Sequence, residues 1–362
     1  MGKKIFFLGL ISLAILVLMI NIANAEVPAV FILGDSTADV GTNNFLPGST
    51  HTSNFYPYGI DFPFSRPTGR FSNGFNSADF LAKLLGFKRS PVPFFTLQNN
   101  TKLINRPSFR GANFASAGSG IINITGQVPN GPKINVISLA MQIEQFSTIY
   151  TQLVTHKGQA YAENFLSRSL FCISVGSNDI FGYFASNSST IVPIQEFLAS
   201  LVGQYEFYLR SLYKLGARKF GIISIPPIGC VPILRTQNAT GGCLEGLNDI
   251  ARYFHSTFSS ILIKLSSEYT DMKYSLGNSY EMTINVIDNP SPFGFTDVAT
   301  ACCGGKKTMC APNVTFCSNR KEYLFWDLFH PTQKAASLAA ATLYTGEPRF
   351  VAPINFKQLA EA

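Results

Sequence analysis

Short apolar runs alternate along this chain with longer stretches in which apolar positions recur at helical spacing. The apolar runs predict buried strands at 30–33, 170–176 and 219–225, with a weaker strand at 273–278. The helical pattern predicts helices over 77–85, 138–154, 193–215, 244–268 and 332–344. Strands and helices that alternate in this way predict an α/β fold, with a parallel sheet covered by helices on both faces.

The stretches between these elements indicate where a site could lie. Residues 41–76 and 288–330 are rich in Gly, Pro, Asn and Phe and are predicted to be loops. Long loops on such a scaffold commonly carry binding or catalytic residues. No Pro/Gly/Ser-rich linker and no repeat divides the chain, so we expect residues 26–362 to form a single domain.

The N-terminus has the layout of a secretory signal peptide. Lys3 and Lys4 precede an apolar stretch, and Ala23-Asn24-Ala25 forms a small-x-small cleavage motif. The apolar stretch approaches the shortest membrane-spanning length, so a membrane anchor is the alternative. The cleavage motif favours removal of residues 1–25, and we expect secretion with no membrane span after cleavage.

The charge pattern gives no indication of a nucleic-acid partner. Loss of Lys3 and Lys4 lowers the formal net charge from +7 to +5. The remaining basic residues are scattered, whereas nucleic-acid-binding proteins concentrate them on one face or run. We therefore expect no nucleic-acid binding.

Cysteine usage agrees with an oxidising compartment. Cys172 lies in the apolar run "LFCISVG" and is predicted to be a buried free thiol. The first pairing we expect is Cys230 with Cys243, whose short loop would contribute about 3 kcal/mol. The remaining four cysteines allow two more bridges of open connectivity: Cys302, Cys303, Cys310 and Cys317. Zinc is disfavoured, because there is no CxxC pair and only His330 lies nearby.

Asn-x-Ser/Thr tripeptides would be glycosylatable in a secreted chain. We expect only some of the five to be used: Asn99, Asn123, Asn187, Asn238 and Asn313.

The first strand is followed closely by a serine, Ser36, at the end where open parallel sheets bind their ligands. A serine nucleophile needs a base, and the base needs an orienting acid. Among the four histidines only His330 has a carboxylate three residues earlier, at Asp327. One turn of chain could bring that carboxylate to one imidazole nitrogen and leave the other for a hydroxyl. The other histidines are predicted to be structural or on surface loops: His255, His51 and His156.

Acyl transfer also needs donors for a developing oxyanion. Asn178 follows the second strand, and Gly118 lies in the small-residue loop "GANFASAGSG" at 111–120. The amide of Gly118 could approach a substrate closely because glycine has no side chain. Asp35 and Asp39 are expected to hold the turn beside the serine by hydrogen bonding.

These motifs occur in the order of the four sequence blocks of the SGNH hydrolases, and the sequence resembles a plant-type GDSL esterase/lipase. The blocks are Gly34-Asp35-Ser36, the Gly118 loop, Gly176-x-Asn178-Asp179 and Asp327-x-x-His330. The resemblance also includes "GRFSNG" (69–74), "PPIGCVP" (226–232), "CCGG" (302–305) and "FWDLFHPT" (325–332). Thr37 stands where the family name has Leu; it carries no proton in the reaction, so we expect the chemistry to be intact.

The resemblance implies a three-layer α/β/α sandwich with a flavodoxin-like parallel sheet. It implies Ser36 as nucleophile, His330 as general base and Asp327 as orienting acid. The oxyanion hole would consist of the Ser36 and Gly118 amides and the Asn178 side chain. No cofactor or metal is expected.

The function expected is that of a secreted serine esterase or lipase, located extracellularly in the apoplast or cell wall. It would hydrolyse acyl or acetyl esters of lipids, cell-wall polymers or small molecules through an acyl-enzyme intermediate. Two alternatives remain: an acyltransferase using the same intermediate, and a non-catalytic binding protein on the same scaffold. The oligomeric state stays open. Loop phenylalanines could line an acyl groove or equally form core: Phe55, Phe62, Phe64, Phe71 and Phe75.

Overall fold

The structure is a computed structural model that describes residues 27–127, 135–185 and 192–362. The expected signal peptide at 1–25 and the Asn187 glycosylation motif lie outside the described residues. Within those three ranges, no helix combines the length and hydrophobicity needed to cross a membrane.

The helices and strands alternate through most of the chain. The strands are β1 (Val30–Gly34), β2 (Gly111–Asn113), β3 (Leu170–Ser174), β4 (Lys219–Ile223), β5 (Lys273–Gly277), β6 (Asp297–Ala301), β7 (Tyr323–Phe325) and β8 (Val351–Ala352). The helices are α1 (Ser77–Leu84), α2 (Phe94–Gln98), α3 (Leu139–Lys157), α4 (Gln159–Ser167), α5 (Ser177–Ala185), α6 (Ile194–Lys214), α7 (Pro232–Arg235), α8 (Glu245–Glu268), α9 (Ser279–Asp288), α10 (Gln333–Thr345) and α11 (Phe356–Glu361).

The central sheet has the strand order β2-β1-β3-β4-β5-β8 in the described part of the chain. Neighbouring strands from β2 through β5 pair in parallel, and β8 adds an antiparallel edge. The chain leaves β1 for β2 on one side and then returns to β3 on the other. In an open sheet this change of direction creates a crevice at the carboxyl ends of the two strands, where ligands bind. The crevice here lies between β1 and β3.

The two faces of the sheet carry separate cores because successive strand side chains point to opposite faces. Phe31 and Leu33 of β1 belong to the core that includes residues of α3, α6 and α8. Val30 and Ile32 belong to the core that includes residues of α1, α10 and α11. On the first face the Phe31 ring stacks on Phe171 with a centroid distance of 5.0 Å. The observed architecture is therefore the α/β sandwich with a parallel sheet that the sequence predicted.

Some of the helices begin at a capping side chain. Ser138 accepts a hydrogen bond from the Met141 amide at the start of α3, and Thr332 accepts one from the Ala335 amide at the start of α10. These caps fix where each helix begins relative to the loop before it.

Several short elements were not predicted. The segment 288–330, expected to be a loop, contains β6 and β7, which pair in parallel as a separate small sheet. The second predicted strand was expected to reach residue 176, but β3 ends at Ser174 and α5 begins at Ser177. Asn178 therefore lies in the first turn of a helix.

A buried ion pair ties the loop after β1 to α1. Arg70 donates to both carboxylate oxygens of Asp79, at 2.6 and 2.9 Å. The Arg70 and Asp79 side chains are 7% and 0% exposed. Asp79 also accepts the Asn76 amide and so caps α1. Removing one partner of a buried pair leaves the other charge uncompensated, which is far costlier than losing a surface pair.

We predict that Arg70→Leu lowers the free energy of unfolding by about 3–5 kcal/mol. The matched control is Arg349→Leu, which removes an exposed partner of Glu281 and should cost no more than about 1 kcal/mol. Chemical denaturation of both variants measures the difference. Equal losses would contradict the structural role of the buried pair.

Candidate active site

Ser36 lies just beyond the carboxyl end of β1, in a turn that neighbouring elements hold on both sides. The Asp35 amide donates to the Ser174 carbonyl of β3 at 3.1 Å, which extends the strand pairing to the turn. A Cβ at Gly34 would lie 2.4 Å from that same carbonyl oxygen, and Gly34 has a φ of +154°. Glycine at this position therefore permits the close approach of the two strands beside the serine.

The turn is also fixed by buried side chains. Gln142 of α3 accepts the Gly34 amide and donates to the Gly34 carbonyl, each at 2.8 Å. Asp35 accepts the Thr37 amide and hydroxyl, each at 2.9 Å. Burial raises the pKa of Asp35, while the bonds from Thr37 oppose that rise. Asp35 thus has the turn-holding contacts expected from the sequence.

His330 and Asp327 reach Ser36 from a loop between β7 and α10. His330 Nε2 lies 2.7 Å from Ser36 Oγ, and His330 Nδ1 lies 2.8 Å from Asp327 Oδ1. Ser36 and His330 are 294 positions apart in the sequence, so only folding brings them together. A hydroxyl, an imidazole and a carboxylate connected in this order can activate the hydroxyl as a nucleophile.

Asp327 is almost fully buried, with 1% exposure, and accepts hydrogen bonds from four donor groups. The Phe329 and His330 amides donate to Oδ1 at 2.9 and 2.8 Å, in addition to the bond from His330 Nδ1. Tyr58 donates its hydroxyl to Oδ2 at 2.8 Å. Tyr58 was not identified from the sequence, because it lies 269 residues away and no local motif marks it.

The electrostatics keep Asp327 ionised. Burial by itself raises the pKa of this carboxyl, but the His330 imidazole and the hydrogen bonds outweigh it, so the pKa lies below its usual value. The same contact has the opposite effect on Tyr58, whose pKa rises well above normal through burial and the adjacent carboxylate. A phenol that keeps its proton can donate continuously to Asp327.

Two disulfides pack against the strand that leads to Asp327. Cys302 is joined to Cys317 and Cys303 to Cys310. The Cys303 amide donates to the Trp326 carbonyl at 2.7 Å, next to Asp327. The third bridge joins Cys230 with Cys243, the first pairing expected from the sequence, and Cys172 is buried and free. The structure thereby specifies the connectivity that the sequence left open.

The glycine loop and α5 meet at a side-chain hydrogen bond. Asn178 Nδ2 donates to the Ser119 carbonyl at 2.9 Å, which leaves its second N–H available. Gln142 links the same loop to β1 by donating to Ser119 Oγ at 3.0 Å. Within the described ranges, no hydrogen-bond acceptor pairs with the amides of Ser36 and Gly118. Each of these three groups is a hydrogen-bond donor that an added acceptor could use.

Two buried carboxylates hold the backbone on either side of Gly118. Asp39 accepts the Ala117 amide at 3.0 Å, and Asp179 accepts the Ile121 amide at 2.8 Å. Burial raises the pKa of each to about 6, against the effect of these hydrogen bonds. Asp39 also accepts the Gly41 and Thr42 amides, in agreement with its expected role in the turn.

The remaining histidines differ in position. His51, expected on a surface loop, is half-buried, and its ring packs where a Cβ at Gly118 would stand, 2.8 Å from His51 Cδ2. Burial lowers the pKa of His51. His255 lies on α8, and its Nδ1 is 3.1 Å from Oγ of Ser224, the residue that follows β4. His156 is exposed in the last turn of α3.

Among the described residues there is no group of three or more His, Cys, Asp or Glu side chains that could hold a metal ion.

The glycosylation motifs in those ranges differ in accessibility. Asn99, Asn123 and Asn313 are exposed, whereas the Asn238 side chain donates to the Cys243 carbonyl at 3.1 Å.

Comparison with known proteins gives one consistent result. The sequence model of the family described as GDSL-like Lipase/Acylhydrolase matches residues 30–343. One GDSL esterase/lipase of Arabidopsis thaliana is 38% identical over 92% of this chain and 89% of its own length. Two others from the same plant are 36% and 32% identical, and these alignments cover 98% and 99% of this chain and 98% of each relative. The matched range includes Ser36, Gly118, Asn178, Asp327 and His330.

We predict that Asp327 makes the protein less stable in acid. Its pKa is lower in the folded than in the unfolded state, so its contribution is complete above about pH 4 and is lost as the pH falls through the folded value. The unfolding free energy of Asp327→Asn should therefore decline less between about pH 5 and 2 than that of the unaltered protein.

Thermal or urea unfolding across this pH range measures the two slopes. Asp249→Asn is the matched control, because Asp249 is exposed and pairs with Arg252 at the surface. An Asp327→Asn slope as steep as that of the control would show that Asp327 does not carry this pH dependence.

Proposed function

Since this chain belongs to the GDSL-like lipase/acylhydrolase family and is a carboxylic ester hydrolase, we propose that it cleaves esters through an acyl-enzyme formed on Ser36. The observation that carries the proposal is the hydrogen-bonded series from Ser36 through His330 to Asp327, with 2.7 Å between Ser36 Oγ and His330 Nε2. The family match identifies the class of reaction, and this geometry supports the assignment of the reacting groups.

In the first half-reaction Ser36 Oγ attacks the carbonyl carbon of the ester as His330 Nε2 takes the hydroxyl proton. The new Oγ–C bond gives a tetrahedral intermediate with a negative oxygen. When the intermediate collapses, the C–O bond to the alcohol breaks and His330 returns the proton to the departing oxygen. Asp327 holds the imidazole in the tautomer that presents Nε2 to the serine and stabilises the imidazolium.

In the second half-reaction a water molecule replaces the alcohol. The His330 side chain is 12% exposed, so solvent can reach Nε2 once the alcohol has departed. His330 removes a proton from that water as its oxygen attacks the acyl carbon. Collapse of the second intermediate breaks the Oγ–C bond, returns the proton to Ser36 and releases the carboxylic acid.

The proposed oxyanion donors are the Ser36 amide, the Gly118 amide and the second N–H of Asn178. Donors already held in place stabilise a developing charge without reorganisation. Asn178 is oriented by its bond to Ser119, and Gly118 is held by the loop contacts of Asp39 and Asp179. A protein that only bound esters would not need these unpartnered amides.

We further propose that the mature protein, residues 26–362, is secreted as one hydrolase domain. Three disulfides support an oxidising compartment, because such bonds rarely persist in the cytosol. The apolar stretch before Ala25 supports a cleavable leader.

We predict that Ser36→Ala abolishes ester hydrolysis, lowering kcat by roughly 10⁶-fold, because no other group can form the acyl-enzyme. Labelling by a fluorophosphonate should be lost as well. Ser256→Ala, which alters an exposed serine on α8, is the control and should retain both. Labelling or turnover in a folded Ser36→Ala protein would overturn the nucleophile assignment.

We predict that Asn178→Ala lowers kcat by about 100- to 1,000-fold with little change in KM, because its N–H binds an oxygen that is negative only in the tetrahedral state. Asn178→Asp keeps the shape but removes the donor and should lower kcat similarly. A purely structural role predicts instead a loss of about 1 kcal/mol in stability from the missing bond to Ser119, with near-normal kcat in the folded fraction. Steady-state kinetics and a melting curve for each variant distinguish the two roles.

A further inference from the structure

A cavity of about 370 Å³ lies between the central sheet and the helices on the α10 face. Its walls come from β1, β3 and β4 on one side and from α1, α9 and α10 on the other. The lining side chains are mainly aliphatic and aromatic. None of them carries a charge at neutral pH, since the single ionisable group is the Cys172 thiol, whose pKa is raised by burial.

A space of this size is unusual inside a protein layer. Protein interiors are close-packed, and voids larger than a water molecule are few. Apolar voids tend to remain dry and to accept apolar ligands. The volume falls within the range of about 300–1,000 Å³ found for small-molecule sites. A ligand-binding role explains the space better than imperfect packing does.

One end of the cavity is lined by chain neighbours of the reacting groups. Thr37 directly follows Ser36, and Phe329 and Pro331 flank His330, whereas Ser36 and His330 themselves are not among the lining residues. The Thr37 hydroxyl lies 3.3 Å from Ser174 Oγ, another lining residue, at the carboxyl end of β3. This end of the cavity is therefore the one nearest along the chain to Ser36 and His330.

Helix α10 gives the cavity its direction. It starts three residues after His330 and contributes Ala335, Ala339 and Thr342 to the wall. At 1.5 Å of rise per residue, the seven steps from Ala335 to Thr342 span roughly 10 Å. The cavity thus extends along the helix away from His330, and an extended aliphatic chain would fit its length.

We propose that this cavity binds the aliphatic acyl chain of the ester, so that the enzyme prefers medium-length acyl chains over acetyl. The inference rests on the proposed acyl-enzyme at Ser36. The acyl group stays attached to the protein while the alcohol leaves and water enters, so a space lined by apolar side chains suits the acyl chain. The alcohol needs an open path on the solvent-facing side of His330.

The loop phenylalanines do not form this site. None of the five that the sequence suggested as a possible acyl groove lines the cavity. Phe71 packs on the His330 ring at 4.8 Å between centroids, Phe55 packs on Tyr58, and Phe64 is fully exposed. Chain-length selectivity is therefore assigned to the sheet and to α10.

The test varies acyl length at constant leaving group, with p-nitrophenyl esters from acetyl to decanoyl. Each buried methylene should raise kcat/KM by up to about fourfold until the cavity is filled. Ala339→Phe places a ring in the middle of the cavity and should lower the ratio of octanoyl to acetyl kcat/KM at least tenfold. Ala341→Phe adds the same ring to the exposed side of α10 and should leave the ratio unchanged. Ala339→Leu is the milder substitution if the phenylalanine variant does not fold.

A second series varies the alcohol at constant acyl group, from ethyl acetate to octyl acetate. Ala339→Phe should not change this length dependence. If it impairs long-alcohol acetates rather than long-acyl esters, the cavity holds the alcohol and the assignment is overturned. If it changes neither series, the cavity does not bind substrate.

A binding measurement separates this inference from the proposed mechanism. Decanoate, a product of the reaction, should bind Ser36→Ala saturably in titration calorimetry and should not bind Ser36→Ala/Ala339→Phe. Loss of binding only in the double variant supports the cavity without requiring turnover. Absent or equal binding in both overturns the cavity assignment, whereas retained fluorophosphonate labelling of Ser36→Ala would overturn the mechanism alone.

Discussion

The structure around the site depends on one constraint, which is that the negative charge of Asp327 is buried. A carboxylate removed from water is stable only if donors replace its hydration. Here the donors are two amides of its own loop, the His330 imidazole and the Tyr58 hydroxyl. Because two of these bonds come from the loop itself, satisfying the charge also determines the position of His330.

The contact with Tyr58 extends this constraint to a distant part of the chain. Tyr58 lies in the long loop after β1, and it packs with Trp326 and with the cysteines of two disulfides. The cluster holds the Asp327 strand against the loop that follows the nucleophile. The segment after β1, which carries Ser36, and the loop that carries His330 are therefore joined twice. One contact is the hydrogen bond between Ser36 and His330, and the other is the bond between Tyr58 and Asp327.

Buried carboxylates organise the rest of the site in a similar way. Loops lack the repeating hydrogen bonds of helices and strands, so their buried amides need other acceptors. Asp39 and Asp179 supply them to the backbone on the two sides of Gly118, and the Asp79 carboxylate accepts the Asn76 amide at the start of α1. The loop that carries Gly118, a proposed oxyanion donor, is thus held by buried carboxylate side chains.

The main helices and strands, the α/β class and the principal site motifs can be read from the amino-acid sequence. These follow from local patterns: apolar periodicity for α3, α6 and α8, apolar runs for β1, β3 and β4, and an Asp three residues before His330. Short elements escaped prediction because β2 and β8 have three and two residues, too few for a periodic signal, and depend on pairing with a neighbouring strand. Three features could be seen only in the tertiary structure: the contact of Tyr58 with Asp327, the pairing of the last four cysteines and the cavity along α10. Each of these depends on which side chains meet across large sequence separations, and local spacing carries no information about that.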